Sequence, residues 1–147
     1  MPESNYDSLQ DSKSASKITT NEYLTQCANS MTEELNLLSR LIYLNKNQHR
    51  NSKWYKKCVE AYRWSRRIIK LFSKPLETKL LMVTLSEFQA RLLKGYESII
   101  QIIARSAFMA SGMCFVGSLA RLYSISRCSM RFLENLKKVV KAIIKEV

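Results

Sequence analysis

An all-α fold, an antiparallel four-helix bundle behind a disordered N-terminal tail, follows from three features of this chain. Backbone breakers are scarce: 147 residues hold three Gly and two Pro, and Pro2 lies in the leading segment, leaving Pro75 as the only interior proline. Apolar residues recur at three- and four-residue steps over long stretches, the period of one helix face. The composition, rich in Leu, Ile, Lys, Arg and Ser, suits helices better than strands joined by tight turns. A single domain of this length buries a core without metal or disulfide staples.

Residues 1–18 are Ser-, Asp-, Asn- and Lys-rich with almost no apolar content, and read as a disordered tail or one that orders on a partner. The bundle domain then covers residues 19–147. Thr19, Thr20 and Asn21 offer N-cap side chains for a first helix. Its inward stripe is Tyr23, Leu24, Cys27, Ala28, Met31, Leu35, Leu38, Leu41 and Ile42, and it is predicted to end near Leu44. Ser30 and Glu33 have capping-box spacing, so the helix has an option to restart there.

A second helix is predicted from about Ser52 to Ser73, with Trp54, Cys58, Ala61, Ser65, Ile68, Ile69 and Phe72 on one side. Pro75 stops it and suits the first turn of the next helix, where its missing N–H costs nothing. A third spans about Leu76 to Ala104, with Leu80, Leu81, Leu85, Phe88, Leu92, Tyr96, Ile99, Ile100 and Ile103 inward. A fourth begins between Ser106 and Ser111 and reaches Lys145. The small residues Ala107, Ala110, Gly112, Gly117 and Ala120 in its front half permit close helix approach. Its back half sets Phe132, Leu136, Val139, Val140 and Ile143 against Arg127, Arg131, Lys138, Lys141 and Lys145. A break around Ser124-Ile125-Ser126 would split it.

Charge narrows the function. The formal net charge is +12, with 24 Lys and Arg against 12 Asp and Glu, a self-repelling surplus that a polyanion relieves. The only aspartates are Asp7 and Asp11, both in the tail, and no later carboxylates cluster as a Mg²⁺ site requires. His49 is the sole histidine, which excludes a two-histidine acid–base pair. There is no Gly-rich phosphate loop and no nucleophile elbow. No catalytic residue, metal ligand or cofactor is therefore expected. Cys27, Cys58, Cys114 and Cys128 are far apart among apolar neighbours, and read as buried free thiols. The apolar stretch from Ile99 to Leu122 contains Arg105, Gln101 and several Ser, which argues for a bundle core over a membrane span.

Two features point to a polyanion. Between Lys46 and Lys74 lie ten Lys and Arg opposed only by Glu60; Lys56, Glu60, Arg63, Arg67, Lys70 and Lys74 share one face of the second helix, and Lys53 joins the candidate binding residues at its start. A charge run is usually a solvated face. This one lacks the alternating acids that would form i,i+4 pairs, so phosphate binding is the better reading. Trp54 falls on the apolar side and is predicted to be core; Trp64 lies beside the basic stripe and suits either stacking on a base or an amphipathic rim position. The second feature is the run Asn45-Lys46-Asn47-Gln48-His49-Arg50. A helix-end cap would use one or two of its residues and leave the rest without a task. Lys46, Asn47, Gln48, His49 and Arg50 are thus predicted to form a displayed recognition loop for RNA bases, 2′-hydroxyls or a partner's backbone.

This run, followed by Trp54-Tyr55 and more loosely by Ile68-Ile69-Lys70-Leu71-Phe72-Ser73, resembles the small protein subunit specific to RNase MRP, an RNA-based endoribonuclease. The resemblance implies a noncatalytic subunit of a nuclear, nucleolar ribonucleoprotein that cleaves pre-ribosomal RNA in the first internal transcribed spacer. It implies as partners the MRP RNA, protein subunits shared with RNase P and, indirectly, the pre-rRNA substrate, with no membrane. Two other classes fit the residues: a helical protein–protein adaptor, and a generic basic helical domain for nucleic acid.

Overall fold

The computed structural model describes residues 7–74 and 77–146, with side chains from Thr20 to Lys145. Pro75, and the part of the expected tail before Asp7, lie outside the described residues. Four helices follow in order: α1 (Asp7–His49), α2 (Lys53–Phe72), α3 (Thr78–Ala104) and α4 (Met109–Glu146). The backbone of α1 thus reaches back through residues 7–18, part of the segment read as a tail. Ser30 causes no restart, and Ser124-Ile125-Ser126 causes no break. Ser126 and Ser129 are buried and donate their hydroxyls to Tyr123 and Ile125 carbonyls, so α4 absorbs its serines without losing its axis.

Each helix packs on its sequence neighbours, and α4 closes the ring on α1; α2 and α4 lie across one diagonal and touch only lightly. The directions alternate. Lys57 lies beside Gly95 and Glu60 meets Arg91 between α2 and α3, while Gly95 meets Leu119 and Gly112 meets Ile103 between α3 and α4. Between α4 and α1, Phe132 stacks on Tyr23 with ring centroids 4.1 Å apart, and Ser118 donates to buried Glu34 at 2.5 Å. The core between them is a column of fully buried side chains: Met31, Leu38, Ile68, Leu85, Phe88, Phe115, Leu122 and Leu133 among them. Burying one such residue stabilises by about 1.5–3 kcal/mol.

Several residues predicted to face inward do not. Leu80, Tyr96 and Ile100 of α3 are exposed, as are Val139, Val140 and Ile143 of α4. For α3 the inward arc is narrower than its apolar content, because Leu81, Leu85, Phe88, Leu92 and Ile99 already fill the central seam. For α4, it is α3 that falls short. Counted back from the Gly95 and Gly112 contacts, α3 begins about level with Leu136, so the last turns of α4 run past it. Two cysteines also depart from expectation: Cys27 and Cys58 are buried, but Cys114 and Cys128 are exposed on the outward side of α4, and all four are free.

Candidate nucleic-acid interface

The polar run is not a loop. α1 continues through it to His49, and the chain turns only at Arg50 and Asn51. The reason lies in its spacing: Asn45 and His49 continue the inward stripe of Leu38 and Ile42 by one and two more turns. Asn45 is buried and donates its side-chain amide to the Leu41 carbonyl at 2.8 Å. His49, predicted to be displayed, is 3% exposed. Its ring packs against Trp54 (centroids 4.9 Å) and edge-on against Phe108 (4.2 Å), and its Nε2 has no hydrogen-bond partner in the protein. Lys46, Asn47, Gln48 and Arg50 are the exposed members of the run.

Phe108 reaches His49 through the α3–α4 turn. Ala107 N–H bonds to the Ile102 carbonyl and Ser106 N–H to that of Ile103, the double closure of a Schellman motif, with Ser106 in the left-handed position usually given to glycine. Phe108 is left-handed as well, and its carbonyl accepts the Gly112 N–H to start α4.

Immediately after the polar run, Ser52 is extended and caps α2 without a side-chain hydrogen bond, and the first turn of α2 contains no acid. The positive end of the helix dipole is left unneutralised beside Arg50 and Lys53. Trp54 and Tyr55 are buried, as predicted for Trp54, and the Tyr55 hydroxyl donates to the Ile42 carbonyl at 2.9 Å, locking α2 to α1. The opposite side of α2 presents Lys53, Lys56, Arg63, Arg67 and Lys70, all exposed, so the stripe predicted from helical spacing exists as a face.

Glu60, the single acid within that face, is already engaged. Lys57 Nζ lies 3.1 Å from one of its oxygens, and Arg91 of α3 bonds the other. Partial burial would raise its pKa, but the hydrogen bonds and charges of Lys57 and Arg91 outweigh that and hold the carboxyl below its ordinary value. Arg91 also places its guanidinium 4.4 Å from the Trp64 ring centroid, with that of Arg67 at 5.3 Å. Trp64 is therefore half-buried at the α2–α3 rim as a support for two guanidiniums. Arg91 escaped the sequence reading because nothing on α3 marks it; only the α2–α3 register brings it to Glu60.

Among the described residues, no group of three or more His, Cys, Asp or Glu is placed to hold a metal ion, and no helix is long and apolar enough to cross a membrane. No curated protein and no solved structure matches the chain. A family model does match, over residues 37–121, a span that contains the end of α1, all of α2 and α3, and the front of α4. With more than half of its length inside that model, the chain belongs to the family described as ribonuclease MRP protein subunit RMP1.

Proposed function

We propose that this chain is a noncatalytic, RNA- and protein-binding subunit of RNase MRP that acts in the nucleolus and supports pre-rRNA cleavage in the first internal transcribed spacer. In this reading α2 grips the MRP RNA. Arg63, Arg67 and Lys70 contact phosphates, Lys53 and Lys56 extend the track, and Trp64 holds Arg67 in place. Lys46, Asn47, Gln48 and Arg50 contact RNA or a protein subunit shared with RNase P at the α1–α2 turn, and buried His49 sets the geometry of that turn from beneath.

One observation carries the proposal. The cationic face of α2 has its only acid neutralised from within by Lys57 and from α3 by Arg91. The remaining cations stay exposed and repel each other until a polyanion arrives. Recovering the tagged chain from cells under native conditions, with one MRP-type RNA enriched over RNase P RNA, is the expected result. Recovery of neither RNA would overturn the reading. In vitro, an R63A/R67A/K70A chain is expected to lower the slope of log affinity against log salt by roughly 0.7–0.9 per lost contact. An unchanged slope would remove α2 as the RNA face.

A further inference from the structure

The outward side of the bundle between α3 and α4 differs from the cationic face of α2. Residues 106–120 contain no charged side chain, in a chain whose net charge is +12. The structure turns half of this segment to the outside: Met109 is 55% and Met113 58% exposed. On α3, Leu93, Tyr96 and Ile100 are exposed at spacings of three and four and run beside them. A cleft of about 180 Å³ opens between the two helices, walled by Leu92, Leu93, Tyr96, Leu119, Ala120 and Tyr123.

We infer that this α3–α4 groove is the seat of a helix from a protein partner, apolar on its seated side and acidic toward its ends. The inference rests on the subunit reading above and names the surface by which the subunit joins protein. From Met109 to Tyr123 the groove runs about 20 Å, close to four turns of a helix. That suits the helix-in-groove mode, in which anchors at i, i+3, i+4 and i+7 fill apolar positions. Arginines stand at both of its ends. Exposed Arg105 closes α3 at one end, and exposed Arg127 and Arg131 stand one and two turns beyond Tyr123 at the other. Acidic residues near the ends of the incoming helix complement them. A second copy of this chain is disfavoured, since two copies bring +12 together with +12. RNA is disfavoured because the groove offers no cation along its length. Exposed apolar surface of this extent on a soluble domain marks an interaction site.

The test uses the full-length chain in native particles. A photo-cross-linking benzoylphenylalanine replaces Met113 in one version and Arg67 in another, and the products are mapped by mass spectrometry. The expected result is a protein cross-link from position 113 into a helix with acidic termini, and an RNA cross-link from position 67. Position 113 joined to a second copy, to RNA or to nothing, in particles that do contain the RNA, overturns the inference and leaves the subunit reading intact. Failure of the unmodified chain to enter any RNA particle removes both. An Ala120→Glu chain, altered at an exposed residue of the cleft wall, gives an independent readout. Its Tm and RNA affinity in isolation are expected to stay unchanged, while its incorporation into particles falls about tenfold or more, the loss expected for a charge set into an apolar contact. Normal incorporation of that variant overturns the inference.

Discussion

The outward faces of α2 and of the front half of α4 lie across the bundle from each other, and they are opposites. α2 turns Lys53, Lys56, Arg63, Arg67 and Lys70 to the surface, whereas α4 turns out Met109, Met113, Gly117 and Ala120. Their inward faces do the same work: Cys58, Ile68 and Phe72 on one, Phe115, Leu119 and Leu122 on the other, all in the core. What differs is the side that folding leaves free. Neither outward face is needed to fill the core, so each is free to carry a different chemistry, one cationic and one apolar. If the chain bridges RNA and protein as proposed, the two faces on opposite sides keep the partners from crowding each other.

Substitutions on α4 sharpen this contrast between the two sides of one helix. Phe115→Ala is expected to cost about 3–5 kcal/mol in chemical denaturation, because the ring is fully buried and packs edge-on to Trp54 at 5.4 Å. Met113→Ala, two residues away and exposed, is expected to change stability by less than about 0.5 kcal/mol. Comparable losses for both would mean that the outward face is also packed.

The glycines repeat the test at lower amplitude. A Cβ at Gly112 would sit 2.9 Å from Ile103 Cγ1, so Gly112→Ala is expected to destabilise by about 1–2 kcal/mol, through forced separation of α3 and α4. Gly117→Ala meets open space and is expected to stabilise by up to about 1 kcal/mol from helix propensity alone. Equal effects of the same sign would contradict the close approach at Gly112.

On α2 the measurement is one of pH. The folded-state pKa of Glu60 lies below its ordinary value of 4.5, so its ion pairs contribute fully above about pH 4.5 and are lost as pH falls further, when the unfolded chain takes up the proton first. Glu60→Gln is expected to cost about 0.5–1 kcal/mol at neutral pH, a modest value because all three partners are partly exposed. The gap from the parent should close below pH 4.5; a gap constant down to pH 3 would exclude ionised Glu60 as its source. The same substitution should raise the positive potential of the face and tighten RNA binding slightly.

The smallest effect is chemical. Burial pushes the Cys58 thiol up to about 12, so at pH 8 Cys58 should stay unmodified by iodoacetamide in the native chain. Exposed Cys114 and Cys128 should react within the same time. Equal labelling of all four, read by peptide mapping, would mean that the core opens.

Some of this was legible residue by residue. A 100° step alone places Trp54 in the core and the α2 stripe on the surface, because α2 is short and its two faces are chemically distinct. The end of α1 was misjudged because a run of polar residues reads as a break, yet Asn45 satisfies itself on the Leu41 carbonyl and His49 is sheltered by Phe108. No local pattern announces Phe108, which lies 59 positions away and reaches His49 only through two left-handed residues. The small, apolar front half of α4 is legible in the sequence but reads as core; nothing there distinguishes a buried apolar turn from an exposed one.

Amino-acid order by itself determined the four helices, the cationic face of α2 and the family resemblance carried by Asn45 to Arg50 and Trp54-Tyr55. These are properties of single helices or of residue types, and they survive without knowing what packs where. Tertiary structure decided which apolar residues are covered, which guanidinium answers Glu60, and which side of α4 is left open. Those depend on helix length and register, since a long helix buries its apolar stripe only as far as a neighbour runs beside it.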